Sequence, residues 1–135
     1  MRAPSAGGTT QCAPAITAAF EELRSEEPTA GLLAITSPDR MHADWLAARR
    51  GARAGAGRPS HIETILAPLS RDAALVTVLD GHPAAHAWIG AVRGQRVVPL
   101  GVDRFGQAGD LPDLYREYGL DSDAILDACA EALLG

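Results

Sequence analysis

Lysine and asparagine are both missing from this 135-residue chain, so all 12 of its Lys-or-Arg positions are arginine. Without lysine there is no Schiff-base amine, no phosphate-loop lysine and no lysine general base. Without asparagine there is no acceptor for N-glycosylation. Both absences, beside so much alanine and arginine, point to a GC-rich coding sequence rather than a functional choice. Cysteine is scarce too: Cys12 and Cys129 lie near opposite ends. Such a pair is expected as separate buried thiols in a reducing compartment, not as a disulfide. No apolar run approaches the ~20 residues that a membrane helix requires. The opening MRAPSAGGTT has one arginine and no apolar core of the kind a secretory signal carries. A cytoplasmic protein is expected.

What is present is ordinary for one globular domain: 47% hydrophobic residues, 21% charged and a net charge of -5. No basic cluster extends beyond Arg49-Arg50, which argues against nucleic acid as a partner. Residues 1–10 are small and polar and expected to be disordered, leaving 11–135 as a single domain. Ile16, Ala19, Phe20 and Leu23 recur at helical spacing between Pro14 and Glu27, and Pro28 ends that helix. A strand before it has only Thr9 to Cys12 to draw on.

Gly31 to Thr36, GLLAIT, reads as a buried strand. Ser37 is then placed to cap a helix with Pro38 at its first position, running through Met41, Trp45 and Leu46 to about Arg50. Gly51 to Pro59 follows as a flexible, solvated connection; an anion contact by its arginines is the sharper reading. Ser60 or His61 opens a short helix through Ile62 and Leu66. Ala73 to Leu79, AALVTVL, is the strongest strand, ending at the turn Asp80-Gly81-His82-Pro83 that opens a helix over 84–92. Val97 to Val102 is a second β-branched strand, and Gly101, Gly106 and Gly109 punctuate the turn after it. Asp110 is placed to cap a helix that Gly119 ends, with Leu111, Leu114, Tyr115 and Tyr118 on one face. An amphipathic helix over 123–134 closes the chain. Alternating strands and helices predict a three-layer α/β/α fold around a mostly parallel sheet of about four to five strands.

The chemistry-bearing residues gather where strands end, the rim on which parallel sheets place ligands. Asp80, His82 and His86 form one group there. His82 and His86 stand four apart and would share a helix side, but no Cys or Glu lies at metal-ligand spacing. A capping or packing role for these histidines is the better reading. Asp103 and Arg104 form the second group, either a substrate-holding carboxylate or a structural ion pair that fixes the glycine turn while Phe105 anchors it. The ion pair is favoured. The glycines of Gly101-Val102-Asp103-Arg104-Phe105-Gly106 are not spaced as a dinucleotide fingerprint, and the nucleophile elbow Gly-x-Ser-x-Gly is missing. Trp45, Trp88, Tyr115 and Tyr118 fit core or interface anchors better than stacking platforms for bases.

Three motifs carry a resemblance: Asp80-Gly81-His82-Pro83 with Ala87-Trp88-Ile89-Gly90, Pro99-Leu100-Gly101-Val102-Asp103-Arg104-Phe105-Gly106, and Leu114-Tyr115-Arg116-Glu117-Tyr118-Gly119. Together with the terminal helix, over roughly residues 30–134, they resemble the C-terminal domain of the transketolase family. That family comprises thiamine-diphosphate enzymes: transketolases proper and the E1 components of 2-oxoacid dehydrogenases. The wording here is nearer to pyruvate-dehydrogenase-like E1 proteins. The resemblance implies no catalytic, cofactor or metal residue in this chain. Thiamine diphosphate and Mg2+ would be held by two further domains, of which this chain carries neither. It implies instead a split subunit that assembles with separately encoded catalytic chains, through a rim built from Asp80, His82, His86, Trp88, Asp103, Arg104 and Phe105. A homodimer is a further candidate assembly. Two other readings stay open: a stand-alone module using the rim at Asp80 to His86 for a small ligand, and a fragment with no independent role.

Overall fold

The computed structural model describes residues 13–104 and 111–135. Helices dominate: α1 (Ala13–Glu26), α2 (Pro38–Arg53), α3 (His61–Leu66), α4 (Gly90–Arg93), α5 (Leu111–Glu117) and α6 (Ser122–Leu134). Two strands, β1 (Leu75–Val78) and β2 (Val97–Leu100), pair in parallel with Leu75 opposite Val97 and Val78 opposite Leu100. The connection between them is a 3₁₀ helix, Pro83–Ile89, that passes directly into α4. This mixture of helices with a small parallel sheet is an α/β arrangement. Among the described residues the sheet has two strands.

The pleat sorts side chains onto two cores. Leu75 and Val97 join Ile35, Trp45, Ile62, Leu66 and Ile89 on one face, where α2, α3 and the 3₁₀ helix pack. Val76, Val78, Leu100 and Val102 join Ile16, Ala19, Leu120 and Ile125 on the other, under α1 and α6. Period-two alternation explains the sorting, since neighbouring strand residues point to opposite faces. Ile62, Leu66, Ile89 and Leu120 are fully buried. Each such side chain contributes roughly 1.5–3 kcal/mol by leaving water.

Several local expectations change. Gly31 to Thr36 keeps a strand's alternation, with Leu32 in one core and Leu33 and Ile35 in the other, yet only Ala34 forms a bridge and no strand is built there. Ser37 precedes α2 but its hydroxyl makes no capping bond, so Pro38 and Asp39 start that helix without it. The helix expected over 84–92 is 3₁₀ for most of its length. Gly90 is the reason the chain can press so close here. A Cβ on it would meet Val97 Cγ2 at 2.6 Å and the Gln95 carbonyl at 2.7 Å.

Better-formed caps hold the other ends. Ser60 accepts from the Glu63 N–H while the Glu63 carboxylate accepts from the Ser60 N–H at 2.6 Å, a complete capping box on α3. Asp121 accepts from the Ala124 N–H at 3.0 Å and starts α6. Arg96 donates to the carbonyls of Glu131 and Ala132 at 2.9 and 2.6 Å, satisfying the last turn of α6. Gly119 follows α5 at φ 65°, the left-handed position that favours glycine. The expected cap at Asp110, the strand drawn from Thr9 to Cys12 and the disorder of residues 1–10 lie outside the described residues.

Among the described residues no helix is long and apolar enough to cross a membrane.

Candidate functional site

Both strands end at the same edge, and a backbone bond ties their exits together. The Val102 N–H donates to the Gly81 carbonyl at 2.7 Å, extending the β1–β2 pairing past Leu79 and Leu100. Gly101 lets this happen, because a Cβ there would run into the Gly81 carbonyl and sit 2.8 Å from the Pro83 nitrogen. The turn after β1 and the turn after β2 are thus one rim, which brings Asp80, His82 and Pro83 beside Asp103 and Arg104.

The expected rim residues other than Phe105 each have a defined place. His82 is exposed and caps the 3₁₀ helix, its Nδ1 accepting from the Ala84 N–H at 3.2 Å. His86 points the other way and is only 2% exposed. The two do not share a side as the α-helical spacing predicted. A 3₁₀ helix repeats every three residues, so positions four apart diverge. Burial pushes the His86 pKa down, and its Nδ1 has no hydrogen-bond partner among the described residues. Asp80 is half-buried at the head of the turn. Asp103 and Arg104 do pair, at 3.6 Å, and Arg104 reaches Glu117 of α5 at the same distance. All three are well exposed, and such pairs contribute little, about 0–1 kcal/mol. Phe105 lies outside the described residues.

Trp88 is half-buried and belongs to an aromatic stack. Its ring lies 5.2 Å from Trp45, nearly parallel, and 4.7 Å from His42, while Arg49 covers the Trp45 ring at 4.9 Å. His42 and Arg49 were not legible as partners of Trp88 in the sequence. The available signal was their spacing from Trp45, three residues before and four after, on one helix face.

A second feature was missed. Asp44, on α2, accepts from Arg58 at 2.6 Å and from the His61 N–H at 2.7 Å. These bonds hold the Asp44 carboxyl below the usual carboxylate range. The connection after α2 is therefore clamped at its far end rather than loose, and Arg58 is occupied by a carboxylate of its own chain.

His82 already spends Nδ1 on a cap, His86 is shut away from solvent, and Asp103 faces an arginine. Among the described residues no three His, Cys, Asp or Glu side chains come together as metal ligands. A shallow cleft beside the rim is lined by Pro83, Gly101, Asp103, Arg104, Glu117 and Tyr118. Away from it, an apolar cavity of about 280 Å³ lies between α1, α6, β1 and residues 29–32, walled by Ile16, Leu23, Leu32, Val76, Ile125 and Cys129. Cys129 is a free thiol whose pKa burial pushes up, so it behaves as a small apolar wall residue. No protein-family model matches the chain, and no curated protein is significantly similar to it.

Proposed function

We propose that the chain is a non-catalytic, C-terminal-domain-like subunit of a split thiamine-diphosphate enzyme, either a transketolase or an E1 component of a 2-oxoacid dehydrogenase. It assembles in the cytoplasm with separately encoded chains that hold thiamine diphosphate and Mg2+. The observation that carries this reading is the fused rim. The turns whose wording resembles that family are bonded to each other, and they present Asp80, His82, Asp103 and Arg104 along one rim. Such a face suits contact with a neighbouring chain. This chain's residues bind and orient that neighbour; the decarboxylation or ketol transfer is supplied by the cofactor in the partner.

The same reading extends the sheet to four or five strands in three layers. The alternation of Leu32 against Leu33 and Ile35 supports a strand over 31–35. The far edge of β1 supports another, since Val76 and Val78 face away from β2 and make no backbone bond on that side among the described residues. Amide exchange tests this. Slow exchange is expected at Leu33, Ile35, Val76 and Val78, and fast exchange at all four would limit the sheet to two strands.

The functional test is a pull-down of the tagged chain from its native cell extract, with the eluate assayed for thiamine-diphosphate-dependent turnover of pyruvate and of ketose phosphates. Larger subunits co-purifying with either activity are expected. A chain that elutes alone and inactive overturns the proposal. The apolar cavity favours a second reading, a stand-alone module that binds a small apolar ligand, and native mass spectrometry of the isolated chain would reveal such a molecule.

A further inference from the structure

Along one flank of α2, His42, Leu46, Arg49 and Arg53 follow one another at spacings of four, three and four, so they form a continuous stripe. Arg50 borders it. The stripe is open to solvent at Leu46, Arg49, Arg50 and Arg53, and Leu46 is 36% exposed, one of few large apolar side chains so placed. Trp88 extends it sideways through its contact with His42. Its charge is unbalanced. Arg40, Arg49, Arg50 and Arg53 take part in no salt bridge among the described residues, whereas Asp44, the one acid within the stripe's length, is engaged by Arg58. Arg49 does lower the pKa of nearby Glu63, but that carboxylate is bound first by Ser60.

Two physical points set this surface apart from a merely solvated helix face. Arginines three and four apart repel one another by a few tenths of a kcal/mol per pair, more than dipole matching at a helix C-terminus requires. In addition, tryptophan and arginine, both present here, are enriched among the residues that dominate binding energy at protein interfaces. We infer that this flank of α2, with Trp88, is a docking surface for an acidic, partly apolar segment of a partner protein. Carboxylates would meet Arg49 and Arg53 in bidentate pairs, and an apolar side chain would cover Leu46 and the Trp88 edge. A second copy of the chain is not the favoured occupant. Its acidic groups, Glu21, Glu22 and Glu26 of α1 with Asp123, Asp127 and Glu131 of α6, lie on a different face. That contact would join unlike faces and build a ring or an open filament of copies rather than a two-fold dimer. The inference stands whether or not the partner is a thiamine-diphosphate enzyme.

The test uses the full chain and a fluorescein-labelled peptide, helical, with glutamates on one side and leucines on the other, followed by anisotropy. A single-stranded oligonucleotide of equal charge is the competitor. Saturable peptide binding is expected, weakening with salt and falling about tenfold in R49A/R53A and in L46A, while Arg71→Ala, in the exposed turn before β1, leaves it unchanged. Retained helicity in each variant confirms that folding is intact, and R50A/R53A repeats the measurement without touching the Arg49–Trp45 contact. No saturable binding up to about millimolar peptide, tighter binding of the oligonucleotide, or concentration-dependent self-assembly that blocks the peptide would each overturn the inference.

Discussion

His86 is a residue whose protonation state the fold controls through burial. Its ring is buried with Nδ1 unpartnered, and burial lowers its pKa below the ordinary value of about 6.5. The unfolded chain therefore binds a proton that the folded chain resists. Stability contributed by keeping His86 neutral is fully present above about pH 6.5 and is lost as pH falls toward the lowered folded-state value. Thermal unfolding followed from pH 8 to pH 5 is expected to show a falling midpoint through that window, and His86→Phe to flatten it. The lowered pKa values of Asp44 and Glu63 act elsewhere: their contribution is lost only below about pH 4.5, as pH falls through the folded-state values. The two windows can be read separately in one titration.

At the scale of elements, local capping decides how well each helix begins. Ser60 is fully buried and closes both halves of the box on α3, a helix of only 6 residues. So short a helix has little propensity to rely on. Ser60→Ala is expected to cost about 1–2 kcal/mol, measured by urea unfolding, while Ser37→Ala, whose hydroxyl makes no cap bond, leaves stability within about 0.5 kcal/mol. The connection after α2 depends on a different device. Asp44 holds both Arg58 and the His61 N–H, so Asp44→Ala releases the segment from one end. Trypsin should then cleave after Arg53 several-fold faster than in the parent chain, as mass spectrometry of the fragments would record. Equal cleavage rates would show that the clamp does not order this connection.

Across the whole molecule, the two cores lie on opposite faces of the same pair of strands. Leu66 belongs to one and Leu120 to the other, and both are fully buried. Either replacement by alanine is expected to cost about 2–5 kcal/mol, a large part of the roughly 5–15 kcal/mol that stabilises a domain. Because β1 and β2 contribute side chains to both cores, both variants should lower one shared transition. Separate transitions for the two would mean that the faces melt independently.

Much of this was legible from the residues in order. The apolar spacing of Ile16, Ala19 and Leu23, the β-branched runs at 75–78 and 97–100, the short helix opening at Ser60 or His61 and the stop at Gly119 are local signals, read from neighbours within a few positions. The pairing of Asp103 with Arg104 was legible for the same reason. What the residues in order left undetermined depends on groups far apart in the chain. Ser37 has the composition of a cap, but the backbone around it keeps its hydroxyl from closing one. The run at 31–36 has the composition of a strand, but a strand needs a paired neighbour along its length, and within this run only Ala34 is a bridge residue. His82 and His86 were one group by spacing until a 3₁₀ turn sent one outward and the other into the core. The aromatic stack of Trp45, Trp88 and His42 and the clamp of Asp44 on Arg58 likewise appear only on folding. Periodicity encodes which face a residue prefers, whereas distance and burial, which set contacts and charge states, exist only once the chain has closed on itself.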